Sequence, residues 1–216
     1  MKNSTFLRHP KGLFLLFASE LWERFSFYAL RAVLVLYLTA LTVDGGLGWT
    51  KADALRLYGF YTGLVYITPL VGGWLADNRL GRRKAVLIGA ALMAAGQFVL
   101  SVFDSGLYAG LALLICGNGL FKPNISTMVG DLYAPNDNRR DSAFTIFYMG
   151  INIGSFLAGI VAGIVSVAYS FKAVFFVAGL GMLAALGLQA FLANRFLGNV
   201  GMPPVAKKAV TEKKTA

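Results

Sequence analysis

Long apolar runs separated by short polar connections recur along the whole chain. The runs at roughly 13–41, 56–76, 84–103, 106–129, 142–165 and 172–196 are each long enough to cross a hydrocarbon core of about 30 Å as a helix. In lipid the backbone has no water to bond with, so a spanning segment must satisfy its own amides as a helix. The pattern therefore predicts an all-α, polytopic membrane protein with six transmembrane helices. "VDGGLGWTKADALR", "DNRLGRRK", "FDSG", "DLYAPNDNRRDS" and "SVAYSF" are the connections. The expected organisation is a cytoplasmic lead-in at 1–12, a six-helix bundle at 13–196, and a basic cytoplasmic tail, or the start of a linker between bundles, at 197–216.

Composition agrees with this class. Hydrophobic residues make up 57% of the chain and charged residues 14%, against about 25% charged in soluble domains. The net charge of +10 could suggest nucleic acid, but most of the basic residues lie in the short polar segments. Fourteen of the 20 lysines and arginines fall in the N-terminus, the second and fourth connections and the tail, and only Lys51, Arg56 and Lys172 in the alternate connections. That bias places both termini in the cytoplasm. Cys116 is the single cysteine and His9 the single histidine, so neither an internal disulfide framework nor a histidine metal site is expected. The first run is too long and too charged for a cleaved signal peptide and reads as an uncleaved span. Gly150 with Gly154, and Gly159 with Gly163, have the spacing that lets helix backbones approach closely, and Pro69 and Pro123 are candidate kinks.

The exception to the apolar pattern is "ELWERFSFY", inside the first run. It carries Glu20, Glu23 and Arg24, and Arg31 follows. At 100° per residue Glu20, Arg24, Phe27 and Arg31 fall within about 60° of one another, with Glu23 and Tyr28 on the flanks. The opposite face is apolar, so the charges face other helices or a wet cavity. A central charge costs roughly 2.5–3.5 kcal/mol to insert. The fifteen Leu, Val and Phe residues of the run return about 0.3–0.6 kcal/mol each, so the charges need partners. Lys122, inside the fourth run, is about as far from the cytoplasmic side as Glu20, which makes a Glu20–Lys122 pair geometrically reasonable. A static ion network is the plainer reading. Proton exchange at an acid beside a cation is the functional one, because a proton removes one side of the salt bridge.

At these residues the chain resembles the proton-dependent oligopeptide transporter family of the major facilitator superfamily. "ELWERFSFY" is similar to its E-x-x-E-R-F-x-Y-Y motif, with Phe27 in place of the first tyrosine. "GGWLADNRLGRRKAV" is similar to its loop between the second and third spans, and "FTIFYMGINIGSF" to its fifth-span signature. The resemblance implies the N-terminal six-helix bundle of a major facilitator fold and proton-coupled symport of di- and tripeptides by alternating access. It implies proton coupling by Glu20, Glu23, Arg24 and Lys122, and peptide binding by Tyr28, Arg31, Tyr66, Lys122 and Asn152. Asp77 and Arg82 would form a cytoplasmic gating loop. Protons would be the coupling ion, with no cofactor and no metal, and a bacterial inner membrane the location. Family members hold their substrate between two six-helix bundles. The chain matches the first, so it is expected to be part of a longer frame or to pair with a second bundle. Nitrate or another small solute as cargo, or a non-transporting half-bundle that assembles with another membrane protein, are the competing readings. An enzyme is not expected.

Overall fold

The computed structural model describes residues 9–203. Most of the lead-in and most of the tail, residues 1–8 and 204–216, lie outside the described residues. Within them are six long α-helices: α1 (Lys11–Thr39), α2 (Lys51–Leu75), α3 (Arg82–Val102), α4 (Leu107–Asp131), α5 (Arg139–Ala168) and α6 (Phe171–Leu197). No strand occurs among them.

The connections show how a short loop closes a membrane helix. After α1 the chain folds back so that the amides of Leu47, Gly48 and Trp49 bond the carbonyls of Tyr37, Ala40 and Leu38 at 2.8–2.9 Å. Carbonyls left open at the helix end are thereby satisfied. Thr50 then caps α2 by accepting the amide of Asp53 at 3.2 Å, a common way to start a helix. This cap starts α2 at Lys51, ahead of the apolar run. Between α2 and α3 a π-helical turn, Ala76–Leu80, ends at Gly81, whose φ of 77° suits a residue without a side chain.

By length and composition α3, α4, α5 and α6 are apolar enough to cross a membrane unaided. The other two helices fall short for different reasons. α1 carries Glu20, Glu23, Arg24 and Arg31, and α2 is diluted by tyrosine, threonine, glycine and proline.

Packing follows a two-fold pattern. α1 packs chiefly on α5 and α6, α4 on α2 and α3, and α3 on α6. Exchanging α1 with α4, α2 with α5 and α3 with α6 maps this set onto itself. Two crossings, α2 and α3, lie between α1 and α4, so the two run in opposite directions. This is the inverted three-plus-three repeat found within one half of a major facilitator fold.

Small residues set the closest crossings. A Cβ on Gly72 of α2 would fall 1.9 Å from the carbonyl oxygen of Gly119 on α4. Pro123, four residues after Gly119, has no N–H to offer that carbonyl, so the oxygen turns to the neighbouring helix. On α5, Gly150 and Gly154 lie against Phe17 and Leu21 of α1, and a Cβ on Gly154 would come within 2.3 Å of the Leu21 carbonyl oxygen. Gly159 and Gly163, expected to act the same way, have nothing within 4 Å. They lie on the part of α5 that no described helix covers. The largest side chains of the core, among them Leu13, Leu16, Leu30, Phe121, Phe147 and Phe175, are fully enclosed. By contrast α2 and α5 leave Phe60, Ile67, Leu70, Trp74, Tyr148, Phe156 and Ile164 exposed.

Candidate functional site

Glu20 lies nine residues after the start of α1, and Lys122 nine residues before the end of α4. At 1.5 Å per residue both sit roughly 14 Å along their helices from the same side. The antiparallel pairing of α1 and α4 therefore brings them level. Lys122 Nζ donates to Glu20 Oε1. Glu20 is 0% exposed, while the Lys122 side chain is 28% exposed, so the pair has an enclosed anionic end and an accessible cationic end.

Arg24 links the two acids. Its Nε lies 3.4 Å from Glu20 Oε1 and also donates to Glu23 Oε2, and a second guanidinium nitrogen reaches Glu23 Oε1 at 2.5 Å. Asn118, one turn before Lys122 on α4, donates from Nδ2 to Glu23 Oε1 at 3.2 Å. The second oxygen of Glu20, Oε2, is buried with no hydrogen-bond partner. With both acids ionised the four charged side chains sum to zero, which makes their burial tolerable.

A cationic and aromatic line continues along α1. Phe27 lies between the guanidinium groups of Arg24 and Arg31, which are 4.7 and 5.5 Å from its ring centre. Tyr28 meets Phe27 edge-on at 5.3 Å. Arg31 donates from Nε to the hydroxyl of Tyr58 on α2 at 2.8 Å. Arg31 and Tyr28 remain partly exposed. Tyr66, 70% exposed on α2, and Asn152, exposed on α5, stand on the open faces of their helices. No hydrogen bond ties either side chain to the charged cluster among the described residues.

At the ends of α2 and α4, Arg82 makes a second junction. It bonds Asp77 at 2.9 Å and also pairs with Asp131, the last residue of α4. One guanidinium thus ties the π-helical turn, α3 and α4 together.

The structure therefore assembles Glu20, Glu23, Arg24 and Lys122 into one cluster and pairs Asp77 with Arg82. It leaves Tyr66 and Asn152 on adjoining open surfaces. Three participants were missing from the sequence reading. Asn118 is neutral and sits in an apolar run, so no pattern marks it. Tyr58 lies near the start of α2, two turns from Tyr66. The position of Asp131 at the end of α4 was a usable signal, because it falls on the same side as the Asp77 turn.

Among the described residues no group of three or more His, Cys, Asp or Glu side chains is placed to hold a metal ion.

Known proteins are similar to this chain over nearly its whole length. The family model described as the POT family (PTR2) matches residues 83–201. A di-/tripeptide transporter of Lactococcus lactis is 43% identical over 204 residues, covering 93% of this chain and 41% of its own length. An uncharacterized transporter of Bacillus subtilis is 44% identical over 209 residues, 94% of this chain and 42% of its own. Among solved structures, the peptide transporter POT in complex with sulfate superposes with a TM-score of 0.87 at 42% identity. It covers 96% of this chain and 44% of that one. A POT family transporter in complex with 5-aminolevulinic acid gives 0.88 at 36% identity, with 96% and 45% covered. The chain thus spans less than half the length of the relatives it matches.

Proposed function

The chain belongs to the POT family, and from that premise we propose that it supplies the N-terminal six-helix bundle of a proton-coupled symporter of di- and tripeptides. The observation that carries this reading is the Glu20–Lys122 pair. It joins α1 to α4, its acid is enclosed, and the acid keeps one oxygen without a partner.

The chemistry follows from charge balance. A proton arriving at Glu20 Oε2 neutralises that carboxylate and leaves one uncompensated positive charge. Lys122 is the more accessible of the two cations in the cluster, so the charge is presented there. A peptide carboxylate meets that charge, with Arg31 as a second cation further along α1. Tyr28, Tyr66 and Asn152 line the space beside them. Binding the peptide and protonating Glu20 then favour each other, which is what coupling requires. When the carboxylate leaves, Lys122 returns to Glu20 and the proton is expelled. Arg82, between Asp77 and Asp131, holds the ends of α2, α3 and α4 together on the cytoplasmic side and releases them as the cavity opens there. A second six-helix bundle closes the cavity and receives the amino end of the peptide. Both termini of this bundle are cytoplasmic, in a bacterial inner membrane. Protons are the coupling ion and no cofactor takes part.

The test joins the chain to a six-helix C-terminal bundle and measures peptide uptake into liposomes under a proton gradient. Glu20→Gln is expected to abolish accumulation above equilibrium, and unchanged accumulation rejects the coupling role. Lys122→Ala is expected to lower uptake by at least about tenfold, the equivalent of roughly 1.4 kcal/mol. Wild-type uptake in that variant rejects its part in binding.

A further inference from the structure

We propose that Asn118 is a positioning residue that directs the coupling proton to Glu20 by keeping Glu23 occupied. The inference rests on the proton-coupled reading above and adds to it a division of labour between the two acids.

The register of two antiparallel helices sets up the division. α1 presents Glu20 and Glu23 about one turn apart, and α4 presents Lys122 and Asn118 one turn apart opposite them. Each acid receives one donor from α4, but the donors differ in kind. Lys122 bonds Glu20, and the amide of Asn118 bonds Glu23. Asn118 is 3% exposed, so this bond does not compete with bulk water.

Counting donors on each oxygen separates the two carboxylates. Glu23 Oε1 accepts from Arg24 at 2.5 Å and from Asn118 at 3.2 Å, and Oε2 accepts from Arg24 Nε. Arg24 by itself reaches both oxygens, and Asn118 adds to Oε1 a donor that does not depend on an arginine shared with Glu20. On Glu20 every partner falls on Oε1, and Oε2 is enclosed with none. A proton turns a carboxylate oxygen from an acceptor into a donor. On Glu23 the new hydrogen would face nitrogens that are themselves donors. On Glu20 Oε2 it displaces nothing.

Asn118 suits this task because an amide donates without carrying charge. A second lysine at the same depth would bury another cation and upset the neutral sum of the cluster. An apolar residue would leave Glu23 to Arg24 alone, and Arg24 is shared with Glu20. Asn118 thus lets one arginine serve two acids while only one of them exchanges a proton.

Infrared difference spectroscopy of the full 216-residue chain in lipid tests the assignment, because a protonated carboxyl has its own C=O stretch. Buried groups are separated from surface acids by their slow hydrogen–deuterium exchange. As pH is lowered, one buried carboxyl band is expected in the unsubstituted chain and is lost in Glu20→Gln. Asn118→Leu is expected to add a second band, which disappears when Glu23→Gln is combined with it. Asn118→Ala, which crowds nothing, is expected to do the same, and Asn118→Gln, which keeps an amide donor, to retain the single band. Circular dichroism confirms that each variant stays helical. A silent Glu23 in both Asn118→Leu and Asn118→Ala, with the Glu20 band still present, overturns the role of Asn118. If instead Glu20→Gln leaves the original band in place, the proton-coupled reading itself fails and the division of labour falls with it.

Discussion

His9 shows how much one side chain can tie together at the end of a bundle. It precedes α1, yet its ring bonds the hydroxyl of Tyr133 at 2.8 Å and approaches Ser142 Oγ of α5 at 3.4 Å. Ser142 donates its own hydrogen to the carbonyl of Arg139 at 2.9 Å, so His9 Nε2 must be the donor and Nδ1 accepts from Tyr133. Burial, then the nearby positive charge of Arg139, hold the imidazole below its ordinary value of 6.5, with Asp137 pulling weakly the other way. Burial pushes the Tyr133 hydroxyl up to about 12, so it stays a neutral donor. Asp137, held at about 2 by its bonds from Arg139, stays charged. The sign of the pH effect follows from the lowered imidazole. The folded chain binds this proton less readily than the unfolded chain. The contact is therefore at full strength above 6.5 and weakens as pH falls from there toward the lowered value. Because His9 is the only histidine, ring nitrogen NMR reads it without ambiguity. The expected result is an Nε2–H tautomer at neutral pH and a midpoint below 6.5. A midpoint at or above 6.5 contradicts the staple.

Between elements, backbone proximity decides which small residues matter. The spacing of Gly150, Gly154, Gly159 and Gly163 is the same along α5, and spacing alone treats the two pairs alike. Only the first pair meets α1. Gly154→Val is expected to cost about 1–3 kcal/mol, as overpacking does, and to lower the thermal midpoint followed by circular dichroism in detergent. Gly163→Ala, with open space around it, is expected to keep or slightly raise the midpoint, since alanine favours a helix over glycine, and equal losses at both positions would mean that α5 packs differently. Helix propensity cannot make this distinction, because it depends on the partner helix. The two helices that lack a long, charge-poor apolar stretch, α1 and α2, are also those that place charges, tyrosines and Arg31 along one line. Under the proposed function their polarity marks the wall of the binding cavity.

On the scale of the whole molecule, α2 and α5 leave an extended surface uncovered, whereas α1 is enclosed along most of its length. Phe60, Trp74 and Phe156 are all more than half exposed there. Under the proposed function this surface meets the second bundle, whereas the outer face of α6, with Phe191, meets lipid. Single cysteines replacing Phe60, Phe156 or Phe191, in a Cys116→Ser background, distinguish the two surfaces by labelling with a membrane-permeant maleimide. Joining a second bundle is expected to protect the first two positions and leave the Phe191 position reactive. Equal labelling at all three before and after joining places the second bundle elsewhere.

Much of this protein is legible without a fold. Six apolar runs determine six helices, because lipid permits little else. Charges that cannot remain unpaired in a membrane mark Glu20, Arg24 and Lys122, and matching depth even pairs Glu20 with Lys122. Only the tertiary structure decided which donors each acid receives, since a neutral residue such as Asn118 leaves no trace in hydropathy or charge. It also decided which glycines touch α1, and that Arg82 reaches Asp131 as well as Asp77. The reason is physical. Insertion into lipid is a property of each segment taken alone and is written along the chain. Hydrogen bonds between helices depend on which faces are turned toward each other, and that is settled only when all six pack together.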